Sequence, residues 1–243
     1  QFLVTAIFLI AVRRDKVIFD EVKIFSRTPL RYFKTMGKIG FPAAVQELIY
    51  CVISMGMTRL VVRWGDTGVA VQRVGSQIES ISWMTAEGFG AAVNSFIGQN
   101  YGARKYDRVK KGYLTAIKTM AVWGAFSTAL LIFVPGPIFR LFIHEPDVVP
   151  LGIDYLKILG CSQLFMCVEI ATVGAFSGLG KTLPSSVLSV VFTSARLPVA
   201  AALSATALGI NGIWWAFAVT SIIKGIIFFV GFLAVLKRME KIN

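Results

Sequence analysis

Residues 96–112, FIGQNYGARKYDRVKKG, decide the fold. They end a long apolar run with a Gly-punctuated turn and continue into a cluster of cations. Arg104, Lys105, Arg108, Lys110 and Lys111 stand against one acid, Asp107. Gly98 and Gly102 are expected to free the backbone where a helix ends. A short basic loop between apolar runs marks the cytoplasmic side of a membrane.

The rest of the chain agrees with a membrane setting. It has 243 residues, 56% of them hydrophobic, and a mean hydropathy of +0.70. A bilayer core of about 30 Å needs about 20 residues of helix. Apolar runs of that length predict six spans, at 39–62, 68–97, 112–134, 150–176, 184–208 and 212–236. Trp64-Gly65-Asp66 and Pro135-Gly136-Pro137 mark two of the joins, since proline cannot continue the helical ladder. The fold class is therefore all-α, a polytopic membrane bundle of six transmembrane helices.

The net charge of +12 would suggest nucleic acid or an acidic partner in a soluble protein. Here the excess sits in the loops, so it reads as topology, and no nucleic-acid partner is expected. Residues 13–38 carry eight bases against three acids. Together with the 98–111 loop, Lys181 and the tail (Lys237, Arg238, Lys241), this side holds seventeen Lys and Arg. The other side shows Arg63 and Arg140. Both ends of the six-span block are thus expected in the cytoplasm. The chain opens inside an apolar segment, Gln1 to Val12, with no initiator Met and no cleavable signal pattern. That segment is expected to be the end of a severed span whose N-terminal part is missing.

Cys51, Cys161 and Cys167 fall inside apolar runs without metal spacing and read as small packing residues. His144 stands in an outer loop without ligand company. Catalytic residues, a metal centre and an organic cofactor are therefore not expected. Trp64, Trp214 and Trp215 lie at outer span ends, as an aromatic belt would.

Polar residues inside spans carry the functional signal, because an ionisable group in the bilayer costs about 2.5–3.5 kcal/mol on insertion scales and needs a partner or a wet cavity. In the first span Glu47, Ser54 and Thr58 share a face, with Gln46, Tyr50 and Cys51 nearby. The second presents Gln72, Ser76, Glu79, Ser80, Trp83, Glu87 and Asn94 at helical spacing and is expected to turn this wet face inward. Gln72, Gln77 and Asn94 read as interhelical hydrogen bonds. The fourth offers Ser162, Gln163 and Glu169. The small and polar stripe of the fifth, Ser186 to Ser204, reads as helix packing. Glu47, Glu169, Arg196 and Lys224 are the deep charges. Glu47 and Glu169 are open between structural pairing and a titratable site, and pairing is favoured for Arg196 and Lys224.

The string Gly98-Gln99-x-x-Gly102-Ala103, with Arg108 five residues on, resembles the multidrug and toxic compound extrusion (MATE) family, within the superfamily of antiporters and polysaccharide-lipid flippases. Phe41-Pro42-Ala43-Ala44, Gly178-Leu179-Gly180-Lys181-Thr182, Arg196-x-Pro198 and Leu208-Gly209-Ile210-Asn211-Gly212-Ile213-Trp214 follow in the order of that family's C-terminal lobe. The resemblance implies one six-helix lobe of a twelve-helix transporter. Residues 1–12 would end the sixth helix, 13–38 would be a cytoplasmic inter-lobe linker, 39–236 the C-lobe and 237–243 a cytoplasmic tail. It further implies a cell-membrane protein that exports organic cations or amphiphilic drugs against Na⁺ or H⁺, beside a missing N-terminal lobe or a second copy. Acids on the seventh and tenth helices serve the coupling cation in some members. Glu47 and Glu169 are the acids on those helices here. Gln46, Tyr50, Ser54, Glu79, Glu87, Gln163 and Arg196 are the cleft-lining candidates, and Arg196 and Lys224 the charge-pair candidates. A flippase for a lipid-linked saccharide is the alternative.

Overall fold

The computed structural model describes residues 29–240 together with residues 3, 5–7 and 10. Contacts divide the chain into two compact units, Gln1–Lys38 and Ile39–Asn243. The expectations for the opening segment, for most of the linker and for the last residues of the tail lie outside the described residues. Helix α1 (Leu30–Val62) begins in the first unit. The second unit continues with α2 (Gly65–Gly102), α3 (Tyr106–Phe133), the short α4 (Pro135–Arg140), α5 (Val149–Gly160), α6 (Gln163–Gly178), α7 (Thr182–Ser204) and α8 (Ile210–Glu240). Every regular element among the described residues is an α-helix.

Four of these helices are long and apolar enough to cross a membrane, or five if α5 and α6 form one span. The polar stripe of α2 keeps it below that apolar threshold, although its 38 residues extend about 57 Å. The span expected to run unbroken over 150–176 is instead bent by 48° between α5 and α6. No proline announces this break. Gly160 lies against Leu131 and Ile132, and the Ser162 hydroxyl donates to the Leu159 carbonyl at 2.8 Å, which draws off an acceptor at the end of α5. Helix α1 starts at Leu30, so its first turns run through the last residues of the expected linker, and the division between the two compact units falls at Lys38. Basic charge reports the side of the membrane, not where a helix starts.

Small residues set the register. A methyl group at Gly174 on α6 would collide with the Gly90 carbonyl oxygen on α2, and one at Gly178 would come within 2.6 Å of the Asn94 carbonyl. Such small-residue spacing lets two backbones approach closely. The two helices run parallel, with Ser82 beside Cys167 at 3.7 Å, so the same offset sets Glu79 level with Gln163. On α8, Gly225 lies against the Phe165 carbonyl of α6, and this holds Lys224 one turn from Glu169.

Two apolar cores result. One gathers Met57, Val61, Val71, Ile78, Tyr155, Leu156, Ile213 and Trp214; the other gathers Ala86, Ile97, Tyr113, Cys167, Phe228 and Phe232. Trp214 is fully buried and meets Tyr155 edge-on at 5.0 Å, so it belongs to a core and not to an interfacial belt. Of the cysteines only Cys167 is buried; Cys51 is exposed, and all three are free. The second helix also differs from expectation. Its buried stripe is Gly68, Val71, Gly75, Ile78, Ser82, Ala86, Gly90, Val93, Ile97 and Asn100. Ser76, Gln77, Glu87 and Asn94 are exposed, because the tight glycine contacts claim the inward face. Part of the wet face therefore lies on the surface of this lobe, while Gln72 and Glu79 turn inward.

Candidate functional site

Between the two cores lies a polar layer. On α8, Ala218 belongs to one core and Phe228 to the other, and Thr220, Ser221 and Lys224 lie between them. The break between α5 and α6 falls at the same level. It brings the carbonyl end of α5 and the amide end of α6 to Gln163, which is 1% exposed.

Lys224 Nζ is 2.6 Å from Glu169 Oε1, and both side chains are about nine-tenths buried. Arg196, on the buried stripe of α7, donates from Nε to Thr220 Oγ1 at 3.1 Å and from Nη2 to Ser221 Oγ at 2.8 Å. Its guanidinium carbon stands 5.2 Å from the Phe217 ring centroid, a cation–π distance. Thr220 can accept because its own proton goes to the Ala216 carbonyl at 2.7 Å. Lys224 thus has a carboxylate partner, while Arg196 is held mainly by hydroxyls and an aromatic face.

Glu79 faces Tyr155 and Gln163 and lies within electrostatic reach of Arg196. Glu79 Oε1 and both amide atoms of Gln163 nonetheless complete no hydrogen bond, and neither does Gln72 Oε1. This replaces the hydrogen-bonding role expected for Gln72. A buried polar atom left without a partner costs about 1–3 kcal/mol, so these atoms call for a water or a bound group as partner. No cluster of three Asp, Glu, His or Cys side chains is present among the described residues. A bound cation would draw on amide and hydroxyl oxygens as well as carboxylates.

The candidates on α1 are placed differently. That helix meets the bundle near its end, where Met57 and Val61 are buried and Gly56 faces Leu197. Gln46 is half-buried, while Glu47, Tyr50 and Ser54 are exposed on this lobe. Tyr50 still reaches the fields of Arg196 and Tyr155. Glu87 is exposed on α2. The layer therefore brings together Glu79, Gln163, Glu169, Arg196 and Lys224. Reading the sequence alone misses Tyr155, Thr220 and Ser221. The spacing Thr220, Ser221, Lys224 in an otherwise apolar helix is a readable signal, whereas Tyr155 looks like one more core aromatic.

In the motif loop the left-handed residue is Arg104, with φ of 58°, and neither Gly98 nor Gly102. Gly98 is explained by packing, since a methyl group there would meet the Gly178 carbonyl at 3.3 Å. The Lys105 amide closes the turn on the Asn100 carbonyl at 2.9 Å. Gln99, Gly102, Ala103 and Arg108 are exposed.

A helical membrane bundle with charges held at mid-depth has the construction of a polytopic transporter. The MatE family model matches residues 42–202. The chain belongs to the MatE family, whose members are multi-pass membrane transporters and not enzymes. It is 27% identical over 188 residues to the probable multidrug resistance protein NorM of Thermotoga maritima, covering 74% of this chain and 39% of that one. It is 31% identical over 177 residues to the probable multidrug resistance protein YpnP of Bacillus subtilis, covering 72% and 40%. These names place multidrug efflux at the family level. The structure of an outward-facing multidrug resistance MATE family transporter of the MOP superfamily superposes with a TM-score of 0.87 at 20% identity, over 98% of this chain and 55% of that one. The chain spans less than half the length of the curated relatives it matches.

Proposed function

We propose that this chain supplies the C-terminal lobe of a cell-membrane antiporter that exports organic cations or amphiphilic drugs against Na⁺ or H⁺. The missing N-terminal lobe, or a second copy, completes a cleft lined by the exposed polar faces of α1 and α2. Both ends of the six-helix block lie in the cytoplasm in this reading, following the basic loops. The observation that carries it is the Glu169–Lys224 pair, buried beside a broken span.

A coupling ion acts only through different affinity for two states. A proton or Na⁺ on Glu169 takes the carboxylate away from Lys224, and losing one partner of a buried pair costs about 3–5 kcal/mol. That cost shifts the equilibrium between the two states only by the amount by which they differ in burying Lys224, and a full shift from 1:99 to 99:1 takes about 5.5 kcal/mol. The orphaned oxygens of Glu79 and Gln163 would help to hold the incoming cation. Glu47, exposed on α1, would join the cation from the cleft side.

The test is ethidium efflux from cells expressing the complete transporter, with the Na⁺ and pH gradients collapsed in turn. Efflux that stops with one gradient establishes antiport and names the ion. A second reading, the saccharide flippase, draws on Arg196, a buried cation held by hydroxyls that suits an anionic headgroup. No efflux under any gradient, with loss of a surface glycan on deletion, would favour it.

A further inference from the structure

We propose that the groove between α2 and α3, beside the basic turn, is a binding site for one anionic phospholipid. The groove has a volume of about 460 Å³. Its walls are apolar: Phe89, Phe96 and Ile97 come from α2 and Ala116 from α3. At its mouth stand Arg108 and Lys111, both exposed. The Thr119 hydroxyl on its flank adds little polarity, because it is spent on the Thr115 carbonyl at 3.1 Å.

Three features name the occupant. The first is charge: two cations one turn apart at the rim fit a phosphate, and basic pockets between transmembrane helices take anionic headgroups. The second is length. From Arg108 to Thr119 the groove follows α3 for about 16 Å, close to the depth of one leaflet of a core of about 30 Å. The third is position. Helix α3 has 28 residues, about 42 Å, so its first turns project beyond the hydrocarbon and set Arg108 and Lys111 at headgroup level. Gly112 lets the groove's aromatic wall close onto α3 beneath them. The Phe96 ring occupies the space where a side chain at 112 would begin, so it rests on bare α3 backbone. A soluble anion would use the two charges and leave the apolar walls uncovered. A lipid uses both.

The experiment uses the complete transporter, delipidated and then titrated with phosphatidylglycerol or phosphatidylcholine under native mass spectrometry. The wild type is expected to retain phosphatidylglycerol about tenfold better. Arg108→Gln with Lys111→Gln should bring the two lipids level, and the charge-keeping exchange Arg108→Lys with Lys111→Arg should preserve the preference. A preference that survives the neutral double variant overturns the proposal. A phosphatidylglycerol with a photoactivatable acyl chain then locates the site in nanodiscs. Crosslinks are expected within residues 89–119 and should disappear in Ala92→Trp, which fills the groove. Crosslinks confined to other parts of the transporter, as when its other half covers this face, overturn the proposal equally. Neither readout depends on drug efflux, so the lipid site and the antiport reading stand or fall separately.

Discussion

Lys224 on α8 and Glu169 on α6 are joined at 2.6 Å inside the bundle, and the approach of Gly225 to the Phe165 carbonyl makes that distance possible. Two ions removed from water are tolerated only because each is the other's partner. Neutralising one should therefore cost more than removing both. Glu169→Gln is expected to destabilise the complete transporter by about 3–5 kcal/mol, and Glu169→Gln with Lys224→Met to recover most of that. Efflux should be lost in both. Thermal unfolding in detergent beside ethidium efflux checks this, and normal efflux by Glu169→Gln would remove Glu169 from the mechanism.

Arg196 tests whether the hydroxyl cradle needs a fork. Its bonds to Thr220 and Ser221 leave from different nitrogens, a geometry that a lysine ammonium does not reproduce. Arg196→Lys is expected to lower stability by about 1–3 kcal/mol despite conserving the charge. Thr220→Val with Ser221→Ala should have a similar effect. Unfolding midpoints that match wild type would show that the cradle is dispensable.

The α2–α6 contact predicts a sharp contrast between glycines. Gly174→Val places its side chain on the Gly90 backbone and should abolish folded protein, because neither backbone can yield without separating the helices. Gly88→Ala meets nothing within 4 Å and should be neutral or stabilising by about 0.5–1 kcal/mol through helix propensity. Size-exclusion profiles of the two variants decide it.

Cysteine labelling reports on the polar face of α1. Cys51 is exposed and stands one residue from Tyr50, whereas Cys167 is buried between α2 and α6. If α1 borders a water-filled cleft, a membrane-impermeant maleimide should modify Cys51 and leave Cys167 untouched, and a bound amphiphilic drug should slow the reaction. Labelling only by a lipid-soluble reagent would place that face in lipid.

Most of the helices are legible in the sequence because apolar run length and the Gly and Pro joins are local signals. The joins at Trp64-Gly65 and Pro135 fall where α1 and α3 end. The break at Gly160 to Ser162 is not legible, since it arises from packing against Leu131 and Ile132 in a run with no proline. Deep charges stand out in any apolar run, so Glu169, Arg196 and Lys224 are visible as residues. Which acid meets which base is not. That depends on helix register, which is fixed by Gly90, Gly174 and Gly225, and a single chain does not reveal which of its 22 glycines touch. Trp214 escapes the sequence reading for a similar reason, because a tryptophan at a span end serves an interface or a core according to its neighbours.

The division of the apolar side chains into two cores has a consequence for how the lobe breathes. Cooperative opening follows contiguous packing, and here the packing is interrupted at the polar layer. The half built on Trp214 and Tyr155 and the half built on Phe228 and Phe232 are thus expected to open as separate foldons, with directional bonds such as Arg196 to Ser221 in the layer between them. Backbone amides on either side of the layer should then exchange with deuterium in two groups, each with its own opening free energy. In the antiport reading proposed above, an ion arriving or leaving would act at the seam between them.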